Sequence, residues 1–242
     1  MYRFLFRHYK LFLWGLLLMH QTTSFADSKQ LLSTTNGLPA GFVYLHTIDP
    51  TIHQDLKYSG KDNFIGRPIP GYKGSHVILT KVAAESLAQI QAELAKSELS
   101  LLIYDGYRPQ QAVDYFVKWS HDLSDQVMKS EFYPKVNKAD LFDLGYINVN
   151  SAHTRGSTVD LTIINAKTGE PLNMGSHFDL LDAISHPYNA CVTPEQYSNR
   201  IFLRNLMKRY GFKGILTEWW HFTLIKEPFK ETAFNFEIVD PV

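Results

Sequence analysis

The chain of 242 residues holds one cysteine, Cys191. A single thiol excludes an internal disulfide and a zinc site built on several thiolates. Any bound metal must therefore use histidine and carboxylate ligands. An excess of either charge is also missing. Lys and Arg number 24, Asp and Glu number 24, and this balance argues against a nucleic-acid protein held by phosphate contacts. Also missing between residues 40 and 242 are repeats, low-complexity tracts and linker-like stretches, so one domain is expected there. What is present is a 45% apolar and 14% aromatic composition, enough for a substantial core and against intrinsic disorder.

The first residues differ from the rest. Arg3, Arg7 and Lys10 precede the apolar run "LFLWGLLLM", and small residues follow at Ser24 and Ala26. This pattern fits a secretory signal over residues 1–26, cleaved after Ala26, with export to the periplasm. As a helix the run is too short to cross roughly 30 Å of hydrocarbon, so no stable membrane span is expected. Cleavage removes three basic residues and no carboxylate, which leaves residues 27–242 mildly acidic.

The rest reads as α+β: a single domain with a mixed or antiparallel central sheet flanked by helices. "GFVYLHTI", "SLLIYD", "STVDLTII" and "WWHFTLI" have the β-branched, aromatic and alternating character of strands. "TKVAAESLAQIQAELAKSE" carries Val82, Leu87, Ile90 and Leu94 at helical spacing, with Thr80 as candidate N-cap. "QQAVDYFVKWS" after Pro109 is a second helix. A third opens on Thr193, Pro194 and Gln196, the pattern of a capping box, and stops at Gly211.

Asp160 stands inside the strand pattern between Val159 and Leu161. An ionised carboxylate there is costly unless it is paired or holds a cation. Alone, it is as well explained by backbone or arginine hydrogen bonds. His153, seven positions earlier, and the pair Glu218 and His221 in "TEWWHF" shift the balance. On a straight strand Glu218 and His221 would face opposite sides, so a turn before the strand is required if both serve one site. A hydrolytic zinc centre needs three protein ligands, an open position and a carboxylate base. His153, Asp160 and His221 could supply the ligands and Glu218 the base. Arg108, at a strand end in "YDGYRP", could stabilise an oxyanion; its simpler reading is a salt bridge to Asp105 or Asp114.

"SAHTRGSTVDLT" followed by "EWWHF" resembles the zinc D-alanyl-D-alanine dipeptidases, relatives of the zinc D,D-carboxypeptidases. "DLKYSGKDNFIGRPIPGY", "LLIYDGYRP" and "TGEPLNMGSHFD" match the same pattern in order, so the resemblance covers most of residues 50–238. It implies one Zn²⁺ held at the sheet by His153, Asp160 and His221, Glu218 as general base, and Arg108 polarising the scissile carbonyl. It further implies Ser151 and Tyr72 near the substrate carboxylate and Asp179 at the substrate's free amine. The implied partner is a small dipeptide. The apparent export signal departs from dipeptidases of this type that work in the cytoplasm. Asp179 could instead be a helix N-terminal acid ahead of "LLDAIS". His177 and His186 read as loop histidines, and Trp219 and Trp220 as core and cavity wall.

Three other readings compete. A D,D-carboxypeptidase would cleave acylated stem peptides, against which Asp179 speaks. A non-catalytic binding protein would need neither Glu218 nor Arg108. A structural zinc site is usually closed by four ligands, and no fourth is evident.

Overall fold

The computed structural model describes residues 37–241, so the expected signal segment 1–26 lies outside the described residues. In chain order the elements are β1 (Phe42–Tyr44), α1 (Leu45–Ile48), β2 (His53–Gln54), β3 (Ile78–Thr80), α2 (Lys81–Leu94), β4 (Leu99–Asp105), α3 (Gln110–His121), α4 (Lys129–Phe132), β5 (Thr158–Asn165), α5 (Pro194–Arg209), β6 (Phe212–Gly214) and β7 (His221–Leu224). The main sheet has the order β2-β4-β5-β7-β6, with β2 parallel to β4 and the other pairs antiparallel. β1 and β3 form a separate antiparallel pair. The fold is α+β, and its sheet is mixed.

Strand β5 shows why the sheet has one apolar and one polar face. Val159, Leu161 and Ile163 alternate with Thr158, Asp160 and Thr162, and period-two alternation sends each set to its own side. The first set joins Leu101 and Ile103 of β4, Leu87 and Ile90 of α2, and Leu203 and Leu206 of α5 in the hydrophobic core. The second set is buried too. It must therefore find partners within the protein, because an unpaired polar group away from water is costly.

Register decides which polar residues meet. Asp160 lies directly opposite His221 on β7. On the other side the β4 pairing runs Leu101 to Ile163 and Ile103 to Leu161, then slips so that Asp105 rather than Tyr104 faces Asp160. One extra residue in β4 is a bulge, and a bulge re-aims the side chains that follow it. Without it Asp105 would point to the core side. With it, Asp105, Asp160 and His221 form one row across three strands.

The helices follow the sequence closely. Thr193 accepts from the Gln196 amide and the Gln196 side chain returns to the Thr193 amide, completing the capping box of α5. Thr193→Ala is expected to lower stability by about 1 kcal/mol, measured by urea denaturation, with little effect on turnover. At α2, Thr80 occupies the N-cap position but its side chain does not cap; it bonds the Ser157 hydroxyl at 2.8 Å. The stretch "GFVYLHTI" is extended only through Tyr44, and Leu45–Ile48 is helical. Thr47 closes that turn by donating to the Tyr44 carbonyl at 2.7 Å, while Leu45 is fully buried. Among the described residues no helix is long and apolar enough to cross a membrane.

Candidate metal centre and substrate cavity

His153 sits on a 3₁₀ turn, Ala152–Arg155, opened by Ser151, whose hydroxyl accepts from the His153 amide at 3.4 Å. Gly156 ends the turn at φ 73°, and a Cβ there would collide with the Phe42 ring. Only glycine combines that left-handed backbone with so close an approach. His221 opens β7, and bends around Thr217 and Trp220 swing Glu218 onto the same side. The buried Trp219 and Trp220 anchor this bend, Trp219 donating its indole N–H to Ser176 at 2.9 Å. Glu218 thereby reaches within 3.6 Å of His221 Nδ1, as the three-residue spacing required.

The three expected ligand residues converge. His153 Nε2 is 3.2 Å from Asp160 Oδ2, His221 Nδ1 is 3.1 Å from Asp160 Oδ1, and the two nitrogens are 3.3 Å apart. Among the described residues they are the group of three whose donor atoms all lie close enough to share one ion. Their separations match the edges of a tetrahedron with ligand bonds of roughly 2.0 Å, the geometry zinc prefers. Asp160 Oδ1 is buried and faces His221 Nδ1, the donor atom of another candidate ligand. His153 Nδ1 lies 2.7 Å from the Gly106 carbonyl, which fixes the proton there and turns the Nε2 lone pair toward the other two ligands. The donor set and spacing fit a zinc ion that keeps an open position.

Asp105 organises the surroundings. Fully buried, it accepts from Arg108 at 2.9 Å and from the Tyr72 hydroxyl at 2.8 Å, and lies 3.5 Å from His153 Nδ1. Arg108 also lies 3.5 Å from Asp160 Oδ2 and stacks over the Tyr58 and Phe116 rings at 5.0 and 5.1 Å. The salt bridge to Asp105 and a place in the cavity are thus compatible, and the bridge fixes the guanidinium. Burial pushes the Asp105 carboxyl up, against the pull of Arg108 and His153. Burial works the same way on Asp160, but His153 and His221 outweigh it and hold that carboxyl below its ordinary range.

These side chains line a cavity of about 520 Å³. His153, Asp160, His221, Glu218, Arg108, Ser151 and Asp179 all face it, whereas Tyr72 is not among its lining residues. Tyr72 is buried and donates its hydroxyl to Asp105, the acid that also holds Arg108. Burial foremost, with the charge of Asp160, raises the Glu218 carboxyl to about 7 against His221 and Arg108. Asp179 is buried, takes a left-handed φ of 61°, and accepts from the Tyr58 hydroxyl at 2.8 Å. Burial and the Asp160 charge raise it well above the carboxylate range. No helix starts at Asp179; the acid that caps the following 3₁₀ turn is Asp182, which accepts from the Ile184 amide.

Comparison with known proteins follows the same outline. The Peptidase M15 family model, described as D-ala-D-ala dipeptidase, matches residues 39–239. The chain belongs to this family. It is 40% identical over 198 residues to a D-alanyl-D-alanine dipeptidase of Enterococcus faecalis, covering 82% of this chain and 98% of that one. A D-alanyl-D-alanine dipeptidase of Streptomyces coelicolor is 40% identical over 197 residues, 81% of this chain and 98% of its own. One of Escherichia coli is 36% identical over 185 residues, covering 75% and 83%.

Two partners of the site carried no clear mark in the sequence. Tyr58, which holds Asp179 and underlies Arg108, sits in a turn without periodicity. Phe116 looks like any apolar residue of an amphipathic helix. Asp105 did carry a signal, an acid at the end of an apolar strand, the same feature that marks Asp160. His177, His186 and Cys191 lie outside the cavity; His186 Nε2 is 3.4 Å from the Tyr146 hydroxyl, and Cys191 is exposed.

Proposed function

We propose that the protein is a zinc peptidase that hydrolyses D-alanyl-D-alanine to two molecules of D-alanine. The observation that carries this reading is the convergence of three lone-pair donors on His153, Asp160 and His221, with Glu218 and Arg108 on the wall of the same cavity. Zinc, when bound there, supplies a Lewis acid that polarises the peptide carbonyl and acidifies a water molecule. Glu218 takes the proton of the attacking water and returns it to the departing amine. A carboxyl raised to about 7 suits both steps near neutral pH. Arg108, locked by Asp105, meets the negative charge that develops on the former carbonyl oxygen.

Asp179 supports the choice of a dipeptide. Its buried carboxyl would pair with a free α-ammonium, while an acylated substrate would leave it desolvated and unpaired. Ser151, at the cavity rim, offers a hydroxyl to the substrate carboxylate. We further propose that residues 1–26 direct export and are removed. Sequencing the N-terminus of the protein recovered from the periplasm should then find Asp27.

The test of the function is product analysis by mass spectrometry on zinc-loaded protein, with free D-Ala-D-Ala and an N-acylated peptide of the same ending. Cleavage of the free dipeptide is expected. Asp179→Asn should raise KM for it by about tenfold or more, the scale of a lost charge-assisted contact. Preferential cleavage of the acylated peptide would instead mark a D,D-carboxypeptidase.

A further inference from the structure

Asp179 and Glu218 stand on different segments, one in the loop 174–186 and the other in the bend before β7. Asp179 takes a left-handed φ of 61°, which a residue with a Cβ keeps only where its surroundings over-determine it. The loop therefore needs anchors beyond its own backbone. Arg200 of α5 supplies them. It is 1% exposed and donates to the carbonyls of Met174, Ile184 and His186 at 2.5, 2.8 and 2.8 Å, holding both ends of the loop on one guanidinium. Burial lowers this group to about 10, with no charge partner to offset it among the described residues. A buried cation of this kind is costly, and the carbonyls are what compensate it.

Ser176 joins that loop to the bend. A serine hydroxyl has one proton to give and two lone pairs. Here all of them are used. Ser185 donates to the Leu180 carbonyl at 2.7 Å, so the 3.0 Å contact between the two serines has Ser176 as donor. Ser176 in turn accepts from the Trp219 indole at 2.9 Å and from Arg200 Nη2 at 3.5 Å. The chain of bonds thus starts beside Glu218, passes through Ser176 and Ser185, and ends beside Asp179. Ser176 does not line the catalytic cavity. It borders a separate one of about 250 Å³, which leaves room for one more methyl group.

We propose that Ser176 is a positioning residue for both acids, holding Glu218 through Trp219 and Asp179 through Ser185 and Leu180, with Arg200 fixing the serine. This role rests on the peptidase reading for what the two acids do, whereas the mechanical link between them does not.

The test compares zinc-loaded wild type, Ser176→Ala and Ser176→Thr, with rates normalised to bound zinc. Ser176→Ala is expected to lower kcat on D-Ala-D-Ala about tenfold, as Glu218 drifts, and to raise KM about fivefold, as Asp179 does. Ser176→Thr keeps the hydroxyl and should restore both to within about twofold. A serine that only supported the fold would lower the active fraction and leave KM alone. In the Asp179→Asn background, Ser176→Ala should raise KM no further. Should Ser176→Ala fail to fold, Trp219→Phe removes the same bond from the other side, and it is expected to lower kcat with KM nearly unchanged. A second readout needs no turnover. Asp179→Asn is expected to shift the NMR signal of the Trp219 indole N–H, and to leave it unmoved in the Ser176→Ala background. An inactive wild type would end the peptidase reading, and the indole response would still decide the link. Wild-type kcat and KM in Ser176→Ala, a fall in its kcat alone, no recovery in Ser176→Thr, unchanged kcat in Trp219→Phe, or an indole shift that persists in Ser176→Ala would each overturn the proposal.

Discussion

Glu218→Gln is expected to lower kcat on D-Ala-D-Ala by about 10²–10⁴-fold, the contribution typical of a positioned general acid–base. KM should change little, because the amide keeps the size and much of the hydrogen bonding of the acid. Zinc content should stay at one per chain, since Glu218 lies outside the ligand set. Stability should not fall. The carboxyl is raised to about 7 mainly by burial, so its charged form is poorly accommodated and an amide removes that penalty. Steady-state kinetics, metal analysis and a thermal melt on one preparation check all three expectations. Near wild-type turnover with zinc bound would show that Glu218 is not the base.

Arg108→Ala is expected to act on rate and stability together. Removing an oxyanion donor typically costs 10²–10³ in kcat, roughly 3 kcal/mol. The side chain is 12% exposed and its partner Asp105 is fully buried, so truncation also strands a buried carboxylate. Breaking one side of a buried pair costs about 3–5 kcal/mol. This variant is therefore expected to fold with a marked loss of stability, largest without zinc, when Asp160 also loses its cation. Adding Asp105→Asn to Arg108→Ala should restore part of the stability and none of the rate. Urea denaturation and turnover on the two variants separate these effects. A rate recovered by the second substitution would place Arg108 in a purely structural role.

The metal site was legible because its residues break local rules. Asp160 is an acid in an apolar alternation, and the sheet shows that alternation placing it on the polar face. Glu218 and His221 needed a turn before the strand, and the bends around the two tryptophans provide it. The capping box of α5 is set by contacts within four residues, and such contacts are readable from sequence. Less legible were features set by tertiary pairing. The bulge that turns Asp105 toward the site arises from how β4 meets β5, more than 50 positions away in sequence. Tyr58 reaches Asp179 across 121 positions, and no local pattern announces the pair. Tyr72 reaches Asp105 across 33 positions, and no local pattern announces that hydrogen bond either. The short helix after Tyr44 replaced an expected longer strand through one threonine turn.

We propose that hydrolysis rests on a single zinc ion held by His153, Asp160 and His221. The most direct test strips the protein with a chelator, returns zinc in fractions of an equivalent, and follows D-alanine released from D-Ala-D-Ala at each step. No turnover is expected in the stripped protein, then a linear rise to a plateau at one zinc per chain, and loss of both binding and turnover in Asp160→Ala. Turnover in zinc-free protein, a plateau only at two equivalents, or an active Asp160→Ala would contradict that proposal.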